Sequence, residues 1–143
     1  MIVVDASVAA KWYLAEPEST QALALLNSRN VLMAPDIIRP EVTSAITRAA
    51  RTGRISTLQA RNAAHSWLRH LQSELVVLEP AVTDIEAAID LALTLGHGSM
   101  DCLYLAMAMR HAASLITADA LFVRRSSPIY ADIRSLLSHH TRS

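Results

Sequence analysis

Short, largely apolar runs recur along this chain, and each gives way to a stretch of helical period. Ile2-Val3-Val4 is the first and Val31 to Ala34 the second. Leu75-Val76-Val77-Leu78 and Leu115-Ile116-Thr117 complete the set. Runs this short, apolar on both faces and rich in β-branched side chains, read as strands buried on both sides, the pattern of a parallel sheet covered by helices. The alternation predicts an α/β class with a small parallel sheet.

The intervening stretches carry helix signals. Ser7 to Leu14 and Glu18 to Ser28 read as helices separated by Glu16-Pro17, with Pro17 and Glu18 suited to a first helical turn. Arg39-Pro40 opens a helix whose Val42, Ala45, Ile46 and Ala49 follow the i, i+3, i+4, i+7 pattern, and Gly53 closes it. Ser56 caps the next, where Ala64, Trp67, Leu68 and Leu71 repeat the spacing. Thr83 with Glu86 predicts a capping box for a helix running to Gly96. Ser99 to Ala112 is apolar nearly all round, which marks a buried helix. A short helix is expected from Ala120 to Arg124, and Ile129-Tyr130 is a candidate fifth strand. A single domain over residues 1–137 is expected, with a flexible tail over 138–143.

Bulk properties narrow the class. Hydrophobic residues make up 52% of the 143 and charged residues 18%, as in a chain that folds around a core. Thirteen basic residues balance thirteen acidic ones, so no overall field favours nucleic acid, and any such contact must use local patches. The one cysteine, Cys102, excludes an internal disulfide. The start lacks a basic leader, and no stretch approaches the roughly 18 apolar residues of a membrane span, so a cytoplasmic location is expected.

Four acids stand at the junctions of this alternating pattern. Asp5 closes the first strand, and Glu41 follows Pro40 at a helix head. Asp101 follows Ser99-Met100 at another head, and Asp119 lies two residues past the fourth strand. Singly, each has a structural explanation: Asp5 and Asp119 as N-caps, Glu41 and Asp101 as first-turn acids complementing the helix dipole by about 0.3–1 kcal/mol. Jointly they point further, because strand exits and helix starts share one edge of a parallel sheet, where such folds place ligands. Acids converging there repel unless protonated or metal-bound, and oxygen donors without Cys or His company select Mg²⁺ or Mn²⁺ over zinc. Such a site suits phosphodiester chemistry, in which the ion lowers the pKa of water and stabilises the departing oxygen.

Ile2-Val3-Val4-Asp5-Ala6-Ser7, Pro40-Glu41-Val42-Thr43-Ser44-Ala45-Ile46, Met100-Asp101-Cys102-Leu103-Tyr104-Leu105-Ala106-Met107-Ala108 and Leu115-Ile116-Thr117-Ala118-Asp119-Ala120-Leu121-Phe122 resemble, in order and spacing, the motifs of PIN-domain ribonucleases, closest to the VapC-type toxins of bacterial toxin–antitoxin pairs. The resemblance implies a three-layer α/β/α sandwich with a mainly parallel sheet of four to five strands. It implies that Asp5, Glu41, Asp101 and Asp119 form a catalytic metal pocket, with Ser7 and Thr117 as accessory hydroxyls for a metal-bound water or a phosphate oxygen. The implied activity is Mg²⁺- or Mn²⁺-dependent endonucleolytic cleavage of single-stranded or loop RNA, leaving a 3′-hydroxyl and a 5′-phosphate. The implied partners are a VapB-type antitoxin encoded adjacently, which covers the pocket, and a second copy of the chain in a homodimer.

Other residues carry weaker signals. His65 and His70, five apart, point roughly 140° away from each other on a helix and cannot chelate together. His97 sits in a Gly-His-Gly turn and His139 and His140 in the expected tail, so all six histidines are expected on the surface or in loops. Cys102 reads as a core thiol and Trp67 as core. Lys11 and Trp12 read equally well as contacts at the pocket mouth or as a snorkelling lysine and a half-buried indole. Arg48, Arg124 and Arg125 are candidate phosphate contacts, whereas Arg51 and Arg54 suit a helix C-terminus. An aspartyl phosphatase would need a second acid where Ser7 stands, and a receiver domain would need a phospho-acceptor and a late lysine that are absent here. A catalytically silent PIN-like binding module is the rival that loss of an acid would favour, and all four are present.

Overall fold

The structure, a computed structural model, describes residues 1–138. Its centre is a five-stranded sheet of β1 (Ile2–Val4), β2 (Leu32–Pro35), β3 (Val76–Glu79), β4 (Ser114–Thr117) and β5 (Ile133–Ser135), in the order β3-β2-β1-β4-β5. Every pairing is parallel, with Ile2 opposite Leu32 and Val4 opposite Ile116. Ile2, Val3 and Val4 are all buried, as expected of a central strand covered on both faces in a three-layer α/β/α sandwich.

Helices surround the sheet: α1 (Ala6–Ala9), α2 (Ser19–Leu26), α3 (Ile38–Arg51), α4 (Thr57–Gln72), α5 (Ile85–Leu95), α6 (Ser99–His111) and α7 (Ala120–Ser126), with a further helical stretch at 136–138. Helix α6 crosses β1, β2 and β4 and is covered on its far side by α5. Seven consecutive residues, Cys102 to Ala108, are buried as a result, which explains its apolar circumference. Ser56 and Gln59 form a reciprocal capping box at the head of α4, and Gly53, at φ 77°, takes the left-handed position that ends α3.

The strand order sets the site. Successive strands progress outward on one side from β1 to β3 and on the other from β4 to β5, so the direction reverses between β1 and β4. The carboxyl ends of the strands at such a reversal border a crevice that no crossover covers.

Several sequence expectations need correction. The helix beyond Pro17 starts only at Ser19, because Glu18 adopts a left-handed φ of 71° and cannot belong to a first turn. The Thr83–Glu86 capping box does not form. Thr83 lies inside a 3-10 turn over Ala81–Asp84, and Arg110 clamps Asp84 through two bonds of 2.9 Å, fixing that turn ahead of α5. Ile129-Tyr130 is not the fifth strand. Their N–H groups donate to the Ser126 carbonyl at 3.0 and 2.9 Å, closing α7, and β5 follows at Ile133.

Leu68, expected on the buried stripe of α4, is exposed, whereas Trp67 is core. His139 and His140 and all of the expected tail except Ser138 lie outside the described residues. No described helix is long and apolar enough to cross a membrane.

Candidate metal centre

Asp5 ends β1 and Asp119 follows β4, so both flank the crevice between the two strands, and the first turns of α3 and α6 bring Glu41 and Asp101 to it. Asp5 is the innermost, at 4% exposure. Its Oδ2 accepts from Ser7 Oγ at 2.5 Å and from Thr117 Oγ1 at 2.9 Å. Backbone amides orient both hydroxyls: Ala118 N–H donates to Ser7 Oγ, and Asp119 N–H to Thr117 Oγ1, each at 3.1 Å. Ser7 and Thr117, expected as accessory hydroxyls for a metal-bound water or a phosphate oxygen, thus stand beside Asp5 and donate to it.

The other three acids are also held by one oxygen each. Tyr104 Oη, fully buried, donates to Glu41 Oε1 at 2.7 Å. His97 Nε2 lies 2.8 Å from Asp101 Oδ2. Asp119 Oδ1 accepts from Phe122 N–H at 3.1 Å and so caps α7, as the structural reading of that residue anticipates. Asp5, in contrast, occupies the N-cap position of α1 without capping it. No hydrogen bond from a described residue reaches the second oxygen of Glu41, Asp101 or Asp119.

Charge and burial couple Asp5, Glu41 and Asp101. Burial pushes the Asp5 carboxyl from 3.8 up to about 6; the Ser7 and Thr117 hydroxyls offset part of that shift, and the charge of Asp101 adds to it. Glu41 is raised as well, first by burial and then by the charges of Asp5 and Asp101, against the Tyr104 bond. The same burial, with the acids around it, raises the Tyr104 hydroxyl and keeps it a donor. Among the described residues no lysine or arginine pairs with any of the four acids. Hard oxygen donors with unrelieved negative charge fit a divalent cation of the Mg²⁺ or Mn²⁺ type.

One neighbour escaped the sequence reading. His97, expected as a surface or loop histidine, has a side chain only 7% exposed and enters the pocket, with ligand atoms of His97, Asp101 and Asp119 all within 4.8 Å of one another. The signal lay in its spacing, four residues before Asp101, but its loop position concealed that α6 and the turn before it share a face. His70 and His111 are also half-buried, bonded to Tyr13 Oη at 2.6 Å and to Glu79 Oε1 at 2.7 Å. Cys102 is buried, its thiol pushed up to about 11, chiefly by burial, which suits a core residue.

A groove leads from the acids. One cavity, of about 450 Å³, is bordered by Ser7, Pro40, Glu41, Ser44, Arg48 and Met100. A second, of about 340 Å³, is bordered by Ser7, Lys11, Arg48, Arg54 and Asp119, and the shared lining of Ser7 and Arg48 joins the two. Lys11 is engaged by the Pro17 carbonyl at 2.8 Å, and Trp12 donates its indole N–H to Ala22 O at 2.8 Å, so both stand in structural contacts. Arg125 donates to Gly96 O at 3.0 Å.

Comparison with known proteins agrees with this architecture. The family model described as PIN domain matches residues 2–127. Among solved structures, a toxin–antitoxin complex from Klebsiella pneumoniae superposes with a TM-score of 0.65 at 17% identity, covering 95% of this chain and 98% of that one. VapC20 from Mycobacterium tuberculosis, described as a sarcin–ricin loop cleaving toxin, gives 0.66 at 20% identity over 94% and 99%. FitAcB from Neisseria gonorrhoeae gives 0.61 at 19% identity over 94% and 96%. At such identities the likeness is one of fold. No curated protein matches the sequence significantly.

The raised Asp5 carboxyl has a consequence for stability. Between about pH 4 and pH 6 the native protein binds a proton there that the unfolded chain has released, so stability falls as pH rises through that window. The shift from 3.8 to about 6 corresponds to roughly 3 kcal/mol of destabilisation at neutral pH in metal-free protein. Asp5→Asn keeps the acceptor for both hydroxyls and removes the charge. It is expected to raise the metal-free denaturation midpoint at pH 7.5 by an amount that shrinks as pH falls toward 4. A variant less stable than wild type at pH 7.5 would contradict this account.

Proposed function

The chain belongs to the PIN domain family, and on that premise we propose that it is a Mg²⁺- or Mn²⁺-dependent endoribonuclease, the toxin of a toxin–antitoxin pair. The observation that carries the proposal is the convergence of four acids from separate elements at one sheet reversal, each anchored by one oxygen. The description of one structural neighbour as a loop-cleaving toxin, and of another as a toxin–antitoxin complex, supports RNA as substrate and an antitoxin as partner.

A divalent cation held by Asp5, Glu41, Asp101 and Asp119 would neutralise the pocket, polarise the scissile phosphate and make water more acidic. The chain's own residues prepare that pocket. Ser7 and Thr117 fix the Asp5 carboxylate through one oxygen, and Tyr104 does the same for Glu41, so little reorganisation remains when charge develops. Arg48 lines both halves of the groove beside the acids, where its guanidinium suits a phosphate of a strand lying there. Water attacks phosphorus in line and the 3′ oxygen departs, which leaves a 3′-hydroxyl and a 5′-phosphate.

Self-association has a surface to use. Ile85, Ile89 and Leu93 recur every four residues on α5 at 45%, 49% and 80% exposure, an apolar stripe that a second copy of the chain would cover.

Purified protein should cleave RNA only with Mg²⁺ or Mn²⁺ present; Asp101→Asn should abolish cleavage in a folded protein, and Arg48→Ala should raise KM more than it lowers kcat. Undiminished cleavage by Asp101→Asn would remove the site assignment. Growth arrest on expression should be relieved by co-expressing the adjacent reading frame, and persistence of the arrest would count against the antitoxin. Light scattering should give a dimer that Leu93→Glu converts to a monomer; a monomeric wild type would refute the α5 interface.

A further inference from the structure

His97 sits where a third metal ligand could stand, beside Asp101 and Asp119, and its surroundings argue for a different task. A guanidinium has donors and no acceptor. Arg125 Nη1 lies 3.1 Å from His97 Nδ1, so Nδ1 accepts and the ring's single proton belongs to Nε2. That N–H meets Asp101 Oδ2 at 2.8 Å, while Asp119 Oδ2, at 3.8 Å, is beyond hydrogen-bond reach. Ligation of a cation through Nε2 would move the proton to Nδ1, directly against the Arg125 N–H.

The arrangement is held on three sides. Arg125 Nη1 also donates to Gly96 O at 3.0 Å, which fixes the guanidinium against the loop that carries His97. The imidazole stacks on Phe122, centroids 4.5 Å apart and planes 13° from parallel. Gly96, at φ 63°, ends α5 and turns the chain so that His97 precedes α6 on the face of Asp101.

We propose that His97 is a positioning residue for Asp101, locked by Arg125 in the tautomer whose Nε2–H holds one carboxylate oxygen and leaves the other for a divalent cation. This rests on the reading of Asp101 as a metal ligand. Outer-sphere hydrogen bonds of this kind orient a ligand before the ion arrives, and their loss typically weakens metal binding by roughly 10–100-fold. Arg125, exposed on α7, thereby acts on Asp101 without touching it.

Two measurements on the full chain test the proposal. Long-range proton–nitrogen NMR of the metal-free protein should show His97 with its proton on Nε2, and Arg125→Ala should give a mixture of tautomers. In Mn²⁺ titrations followed by electron paramagnetic resonance, His97→Ala should bind roughly 10–100-fold more weakly. His97→Gln, whose amide N–H reaches the place of Nε2–H, should recover most of that loss. Arg125→Ala, which leaves the His97 ring in place, should also weaken binding, together with the change in tautomer that loss of the Gly96 tether alone would not produce. Unchanged Mn²⁺ affinity in His97→Ala and Arg125→Ala, or a wild-type ring protonated on Nδ1, overturns the proposal alone. A wild type that binds no Mn²⁺ overturns the metal reading and the proposal with it.

Discussion

A carboxylate almost removed from water, with other carboxylates as its charged neighbours, governs this structure. Taking Asp5 out of solvent disfavours its charge, and Asp101 adds repulsion that two hydroxyls only partly offset. The resulting cost, roughly 3 kcal/mol at neutral pH, is a large fraction of the 5–15 kcal/mol that holds a domain of this kind together. The packing calls for an acceptor there, since the Ser7 and Thr117 hydroxyls donate to it, but not for a charge, which a neutral acceptor would avoid. Local rules are broken in this way where a fold serves a ligand, and the ligand that relieves crowded anions is a cation.

Much of the candidate site is legible in the sequence because its residues stand at punctuation marks. Strand ends and helix starts are legible from apolar runs and N-terminal signals, and in a parallel sheet they share an edge whatever the length of chain between them. Asp5, Glu41, Asp101 and Asp119 were visible on that logic alone. His97 was not, since a histidine between two glycines gives no period, and its place depends on how Gly96 turns the chain toward α6. The role of Tyr104 was hidden for another reason. On an all-apolar helix a tyrosine reads as filling, and only the structure shows that its hydroxyl meets Glu41.

The misplaced elements have a common physical cause. The Thr83–Glu86 pattern and the Ile129-Tyr130 pair are both correct local signals overruled by contacts from distant residues or by helix closure. Arg110, far along the chain, claims Asp84 and fixes a 3-10 turn where a cap was expected. The Ser126 carbonyl takes the N–H groups of Ile129 and Tyr130, and Tyr130 Oη donates to Ala113 O at 2.6 Å, so the pair seals α7 and leaves the sheet edge to Ile133. Tertiary partners of this kind leave no trace in a window of local sequence.

Helix α6 shows how fold and site depend on one another. It is the most deeply buried helix, wedged between the sheet and α5, yet it presents both Asp101 and, one turn later on the same side, Tyr104. One element thus supplies an acid and the donor that fixes another acid from α3. The innermost carboxylate requires more: Asp5 and Thr117 meet only when Val4 pairs with Ile116, a contact across nearly the whole chain. Such non-local pairing is the slowest and most cooperative kind of contact to form. The pocket therefore exists only in the complete sheet. A cation that recognised it would bind the native state alone, so that occupancy and the integrity of the β1–β4 seam would stabilise each other by mass action.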